Sequence, residues 1–115
     1  MNRQVIYSQE YLAFEQGQNI RAQEKLRYAT HILQTMIPVP TKFVKKIVNS
    51  DFYELRVKVD NEIRVIIFAL DNDNINLASQ IVFLNGFIKK GTNDYSKEIY
   101  KAINILKKLL CAYQD

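Results

Sequence analysis

Arg56, Lys58 and Arg64 occupy positions from which three cationic heads could meet one anion. Arg56 and Lys58 stand two residues apart in a stretch of alternating apolar and polar residues, so both project from the same side of a strand. Arg64 lies just past an Asp60-Asn61 turn, on what should be the neighbouring strand. Guanidinium and ammonium groups in that arrangement can bind phosphate and stabilise charge that develops on its oxygens. A lysine pair, Lys89-Lys90, ends a third apolar run and adds to the same set. The spacing suits cross-strand ion pairing equally well, with Glu54 or Glu62 as the carboxylate. Arg64 shares its face with Ile66 and Phe68, so its guanidinium needs either such a carboxylate or an anionic ligand. Lysines also guard strand ends, which gives Lys89-Lys90 a purely structural use.

Other chemistries find little support. The chain has no glycine-rich phosphate loop, no nucleophile-elbow pattern and no carboxylate pair in apolar surroundings. The one histidine, His31, falls mid-helix and reads as a surface or partly packed residue. A single cysteine, Cys111, cannot form an intrachain disulfide, and no Cys/His cluster has metal-ligand spacing, so no metal or other cofactor is expected. Tyr95, between the lysine pair and the last helical segment, could donate a proton or stack on a base; packing is the commoner use of one tyrosine among seven.

The elements that must position these residues follow from periodicity. Residues 3–7 read as a short strand, and Ser8 caps a brief helix carrying Tyr11, Leu12 and Phe14 that ends near Gly17. Asn19 caps a longer helix with Ala22, Leu26, Ala29, Leu33 and Met36 along one stripe, stopped by Pro38 and Pro40. From Phe52 the period becomes two: Tyr53, Leu55, Val57 and Val59 face inward, and Glu54, Arg56, Lys58 and Asp60 face out. A second strand runs from Ile63 to Leu70, the polar run 71–74 turns the chain, and a third strand lies near residues 77–87. After Gly91, residues 92–94 lead into a final helix with Ile99, Ala102, Ile103, Leu106 and Leu110 as its apolar stripe. The order β-α-α-β-β-β-α predicts an α+β domain, a mostly antiparallel sheet with the helices packed on one side of it.

At 115 residues the chain suits a single domain spanning 1–115. Its 48% hydrophobic and 24% charged residues are the balance of a packed globular protein. The apolar run 65–70 is too short to span a bilayer, and the N-terminal residues lack a signal-peptide core, so a cytoplasmic location without membrane attachment is expected. A net charge of +4 favours phosphate-bearing or acidic partners. The excess is concentrated late: residues 89–108 carry six basic and two acidic side chains.

Three segments in order, Tyr53-Glu54-Leu55-Arg56-Val57, Ile63-Arg64-Val65-Ile66-Ile67-Phe68 and Phe83-Leu84-Asn85-Gly86-Phe87-Ile88-Lys89-Lys90, resemble the RelE/HigB toxin superfamily, in particular its phage-derived HigB-like branch. The helix start Glu98-Ile99-Tyr100-Lys101-Ala102 resembles the acidic opening of that branch's last helix. The likeness covers roughly the last sixty residues and implies a RelE-like fold. It also implies the toxin of a type II toxin–antitoxin pair, a ribosome-dependent endoribonuclease that cuts mRNA and inhibits translation.

On that resemblance, the substrate's 2′-hydroxyl attacks the adjacent phosphate, with Arg56 and Arg64 clamping it and Lys58 assisting. Tyr95 would serve proton transfer or stacking. Lys89, Lys90, Lys45 and Lys46 would hold RNA backbone. Asn85 stands where the branch often has histidine, and Tyr95 where proline is frequent, so the general base is not identified. The implied partners are mRNA on the ribosome and an antitoxin, a small helix-turn-helix protein. The superfamily also contains ParE-type toxins that bind DNA gyrase without cutting RNA, which is the alternative function.

Overall fold

The computed structural model describes residues 2–91 and 95–112. Eight elements follow in order: β1 (Gln4–Tyr7), α1 (Gln9–Gln16), α2 (Ile20–Thr35), β2 (Val44–Lys46), β3 (Tyr53–Lys58), β4 (Glu62–Ala69), β5 (Gln80–Lys89) and α3 (Ser96–Ala112). The five strands form one sheet in the order β1-β5-β4-β3-β2. β1 runs parallel to β5, and every other pair is antiparallel. An α+β fold with a mostly antiparallel sheet is thus confirmed, with one further strand, β2, that three residues are too few to announce by periodicity.

Local chemistry explains the boundaries. The Ser8 side chain accepts the Tyr11 N–H at 2.9 Å and its hydroxyl donates to the Leu84 carbonyl, so one residue both caps α1 and ties it to β5. Asn19 caps α2 through the Ala22 N–H. Between β4 and β5, Asp71 accepts from Ser79 N, Ser79 Oγ and Gln80 N, which closes the polar loop and holds its carboxyl below the usual range. The expected N-terminal lead into α3, residues 92–94, lies outside the described residues.

The helices occupy both faces of the sheet, which corrects the one-sided packing expected above. On one face Tyr11, Ala22, Leu26, Ala29 and Leu33 of α1 and α2 cover Leu55, Val57, Ile63, Val65, Ile67, Ile81 and Phe83. On the other, Ala102 and Ile105 of α3 cover Ile66, Val82, Leu84 and Phe52. The uninterrupted apolar run 65–69 of β4 follows from this, because residues 65–67 are buried whichever way they point. α3 lies mainly along β5 and β4, so its buried stripe is narrow: Ile99, Ala102, Ile105, Leu106 and Leu109 pack, whereas Ile103 and Leu110 are exposed. Met36, expected on the α2 stripe, lies past the helix end and is also exposed.

Strand β5 carries a bulge. Asn85 pairs with Ile66 but Phe83 pairs with Ile67, leaving Leu84 as an extra residue. Leu84 and Asn85 therefore both turn toward α3, and Phe87 and Lys89 follow on that side, opposite Arg64 and Glu62. Gly86 points the other way, where an added Cβ would run into the Phe14 ring of α1.

Candidate functional site

The β3–β4 hairpin sets Arg56 directly opposite Arg64. Like charges in that position repel, and a carboxylate two residues earlier on β3 relieves the repulsion. Glu54 Oε1 lies 3.4 Å from Arg56 Nε and 3.6 Å from Arg64 Nε. Arg64 is 2% exposed; its Nη1 donates to the Ile63 carbonyl at 3.1 Å and its Nη2 lies 3.6 Å from Glu62 Oε1. The 3.6 Å to Glu54 is an ion pair too long for a hydrogen bond, so Arg64 Nε is buried without a hydrogen-bond acceptor among the described residues. Arg56 is one third exposed, and it is the arginine that solvent reaches.

A cleft of about 410 Å³ opens over this cluster, between the β2–β3 edge and the start of α3, and Glu54, Arg56, Lys45, Lys89 and Tyr95 line it. Tyr95 sits at the first turn of α3, where its carbonyl accepts the Ile99 N–H at 2.8 Å, and its ring meets Phe87 edge-on with centroids 5.2 Å apart. The hydroxyl faces Glu54 and Arg64. Burial, followed by the Glu54 charge, raises its pKa above the usual 10.0, and the phenol is protonated at neutral pH. Behind it, Asn85 Nδ2 donates to the backbone carbonyl (3.1 Å) and Oε1 (3.2 Å) of Glu98, fixing α3 to β5, while Asn85 Oδ1 is buried without a partner among the described residues.

The residues named from sequence divide accordingly. Arg56, Tyr95, Lys89, Lys45 and Lys46 border the cleft, and Arg64 lies beneath it, reaching the cleft through Glu54. Lys45 pairs across strands with Glu54, and Lys46 holds the Ser50 carbonyl and lies over the Tyr53 ring. Lys58, exposed at the end of β3, borders a different groove on the α2 side, and Lys90 lies one residue beyond β5, outside the cleft lining. Cross-strand pairing, the alternative reading of Arg64, is present with both glutamates offered for it. The sequence had named Glu54 only as a counter-ion; its central place between two arginines depends on the pairing register, which only the assembled hairpin sets. Among the described residues, no group of His, Cys, Asp or Glu is arranged to hold a metal ion, and no helix is long and apolar enough to cross a membrane.

Comparisons with known proteins converge on this scaffold. A family model described as phage derived protein Gp49-like (DUF891) matches residues 16–107. Among solved structures, a double arginine-to-alanine mutant of the E. coli toxin RelE in the free state superposes with a TM-score of 0.62 at 12% sequence identity, covering 90% of this chain and 97% of that one. No curated protein sequence matches significantly. The chain therefore belongs to the phage-derived Gp49-like family and is built on the RelE toxin fold.

Proposed function

We propose that this protein is the toxin of a type II toxin–antitoxin pair and arrests translation by cutting mRNA on the ribosome. The family and fold support a toxin. The observation that supports a nuclease is the Glu54 carboxylate, held between Arg56 and Arg64 at the floor of an open basic cleft.

RNA can be cleaved by its own 2′-hydroxyl. A base removes that proton, the oxygen attacks phosphorus, and a cyclic phosphate forms as the 5′ oxygen leaves with a proton. Glu54 is the proton acceptor. Arg56 is the exposed cation that binds the phosphoryl oxygens. Arg64, enclosed beneath the site, is a positioning residue that fixes the Glu54 carboxylate. Tyr95, a protonated phenol at neutral pH as any tyrosine with a pKa at or above 10.0 is, donates to the phosphate or the departing oxygen. Lys45, Lys46 and Lys89 attract the backbone on either side, and Lys90 extends that charge past the strand. The partner is an antitoxin that covers the cleft, a small helix-turn-helix protein.

Induced expression of the wild type should arrest growth and produce cuts in translated mRNA, mapped by primer extension. Glu54→Gln removes the acceptor but keeps the side chain's shape. It should lower cleavage by at least about 100-fold, the scale of general-base loss, without weakening RNA binding. Arg56→Ala should lower both. Growth arrest with intact mRNA and inhibited gyrase supercoiling would instead select the ParE-type alternative.

A further inference from the structure

A second, larger groove of about 1010 Å³ opens on the α2 side of the sheet. β2 pairs with Tyr53–Leu55 and the Arg56 N–H still donates to the Phe43 carbonyl at 2.7 Å, but among the described residues no strand pairs with the outer edge of β3 beyond that point, and α2 stands across from it. Lys25, Lys42 and Lys58 border this groove, and although Lys58 stands opposite Glu62 in the β3–β4 register, among the described residues no carboxylate lies within ion-pair distance of any of the three. Lys25 Nζ reaches only the Lys58 carbonyl at 3.3 Å, and Lys42 Nζ lies 5.7 Å from the Phe43 ring centroid. Of the groove's two carboxylates, Glu62 is drawn to Arg64, and Glu24 forms no ion pair among the described residues. Tyr28 projects into the same space, 59% exposed, with its ring edge-on to Phe43 at 6.1 Å.

An exposed aromatic ring among unneutralised lysines is the surface that binds single-stranded nucleic acid, with a base on the ring and phosphates on the cations. An acidic peptide would satisfy the lysines too. The path favours RNA: Arg56 lines both this groove and the cleavage cleft, so the two form one basic track around the sheet edge.

We propose that this groove binds a flank of the RNA strand whose scissile phosphate lies at Arg56, with Tyr28 stacking on a base and Lys25, Lys42 and Lys58 touching successive phosphates. The proposal rests on the nuclease reading, and its test does not depend on cleavage. Fluorescence anisotropy with 2′-O-methyl oligouridylates, which lack the attacking hydroxyl, measures binding of a 12-mer and a 3-mer to the purified chain.

The 12-mer should bind more tightly than the 3-mer. The triple variant Lys25→Glu, Lys42→Glu, Lys58→Glu should weaken the 12-mer at least about 100-fold and reduce the log–log salt slope by about 2, at ~0.7 for each single-strand phosphate that is no longer neutralised. Tyr28→Ala should weaken it about tenfold without changing the slope, the mark of stacking rather than charge. Lys107→Glu, an exposed lysine on α3, is the control for net charge and should change affinity less than threefold. A triple variant that binds the 12-mer no worse than this control overturns the proposal. So does one that keeps RNA affinity but loses antitoxin affinity, which would assign the groove to the protein partner. Intact mRNA in cells would sink the nuclease reading separately, since the oligonucleotide affinities are measured without chemistry.

Discussion

Arg56 and Arg64 have the same charge and face each other, yet burial gives them different work. The exposed one can meet a ligand, and the enclosed one can act only on its neighbours. A third arginine shows how far burial can carry this. Arg3 is 1% exposed and donates to four backbone carbonyls: Leu33 and Met36 at the end of α2, both at 2.9 Å, and Ile75 and Asn76 at 3.1 and 3.0 Å. It clasps the α2 terminus to the β4–β5 loop, satisfying acceptors that would otherwise be orphaned. Arg3→Met keeps the apolar stem and strands those carbonyls. Urea unfolding should show a loss of about 3 kcal/mol, the scale of removing a charged donor from a buried network. Nothing in the neighbouring sequence signals this role, because all four acceptors are backbone atoms at least 30 residues away.

Elements were legible where they were long. The caps at Ser8 and Asn19, the α2 stripe from Ala22 to Leu33, and the alternation along β3 all follow from local periodicity, and the structure has them. β2 escaped because its three residues include two lysines, so it carries no apolar rhythm. The placement of α3 on the opposite face escaped for another reason: an amphipathic helix has a buried side whichever layer it joins. At the site, the pairing of Arg64 with carboxylates could be foreseen, but not the sharing of one Glu54 oxygen by both arginines. Gly86, part of a motif read for its lysines, proves to be a packing requirement. Gly86→Ala should cost about 2 kcal/mol through overpacking against Phe14. Adding Phe14→Leu should recover part of it, so a double-mutant cycle of thermal melts will show coupling between α1 and β5.

At the scale of the whole molecule, a polar bridge links the two helical layers past the sheet, Lys108 Nζ donating to Glu10 Oε2 at 2.7 Å. That hydrogen bond, ahead of other influences, holds the Glu10 carboxyl below its usual 4.5. A carboxyl whose folded pKa is depressed adds stability above the unfolded value and loses it as pH falls through the folded one. Both side chains are well exposed, so water and salt screen the pair, and its worth is about 0.5 kcal/mol at low ionic strength. Lys108→Ala should therefore lower the melting temperature slightly at pH 7 and progressively less as the pH falls through the depressed pKa of Glu10, a difference that high salt erases. The extra residue in β5 has a wider consequence. It divides the strand into two lengths of opposite phase, one that serves the hydrophobic interior and one that carries Phe87 and Lys89 to the Arg64 side. A lineage that lost that single residue would keep every charged group and still turn this lysine away from Arg64. The chemistry at this end of the sheet depends on an offset in counting as much as on the identity of its side chains.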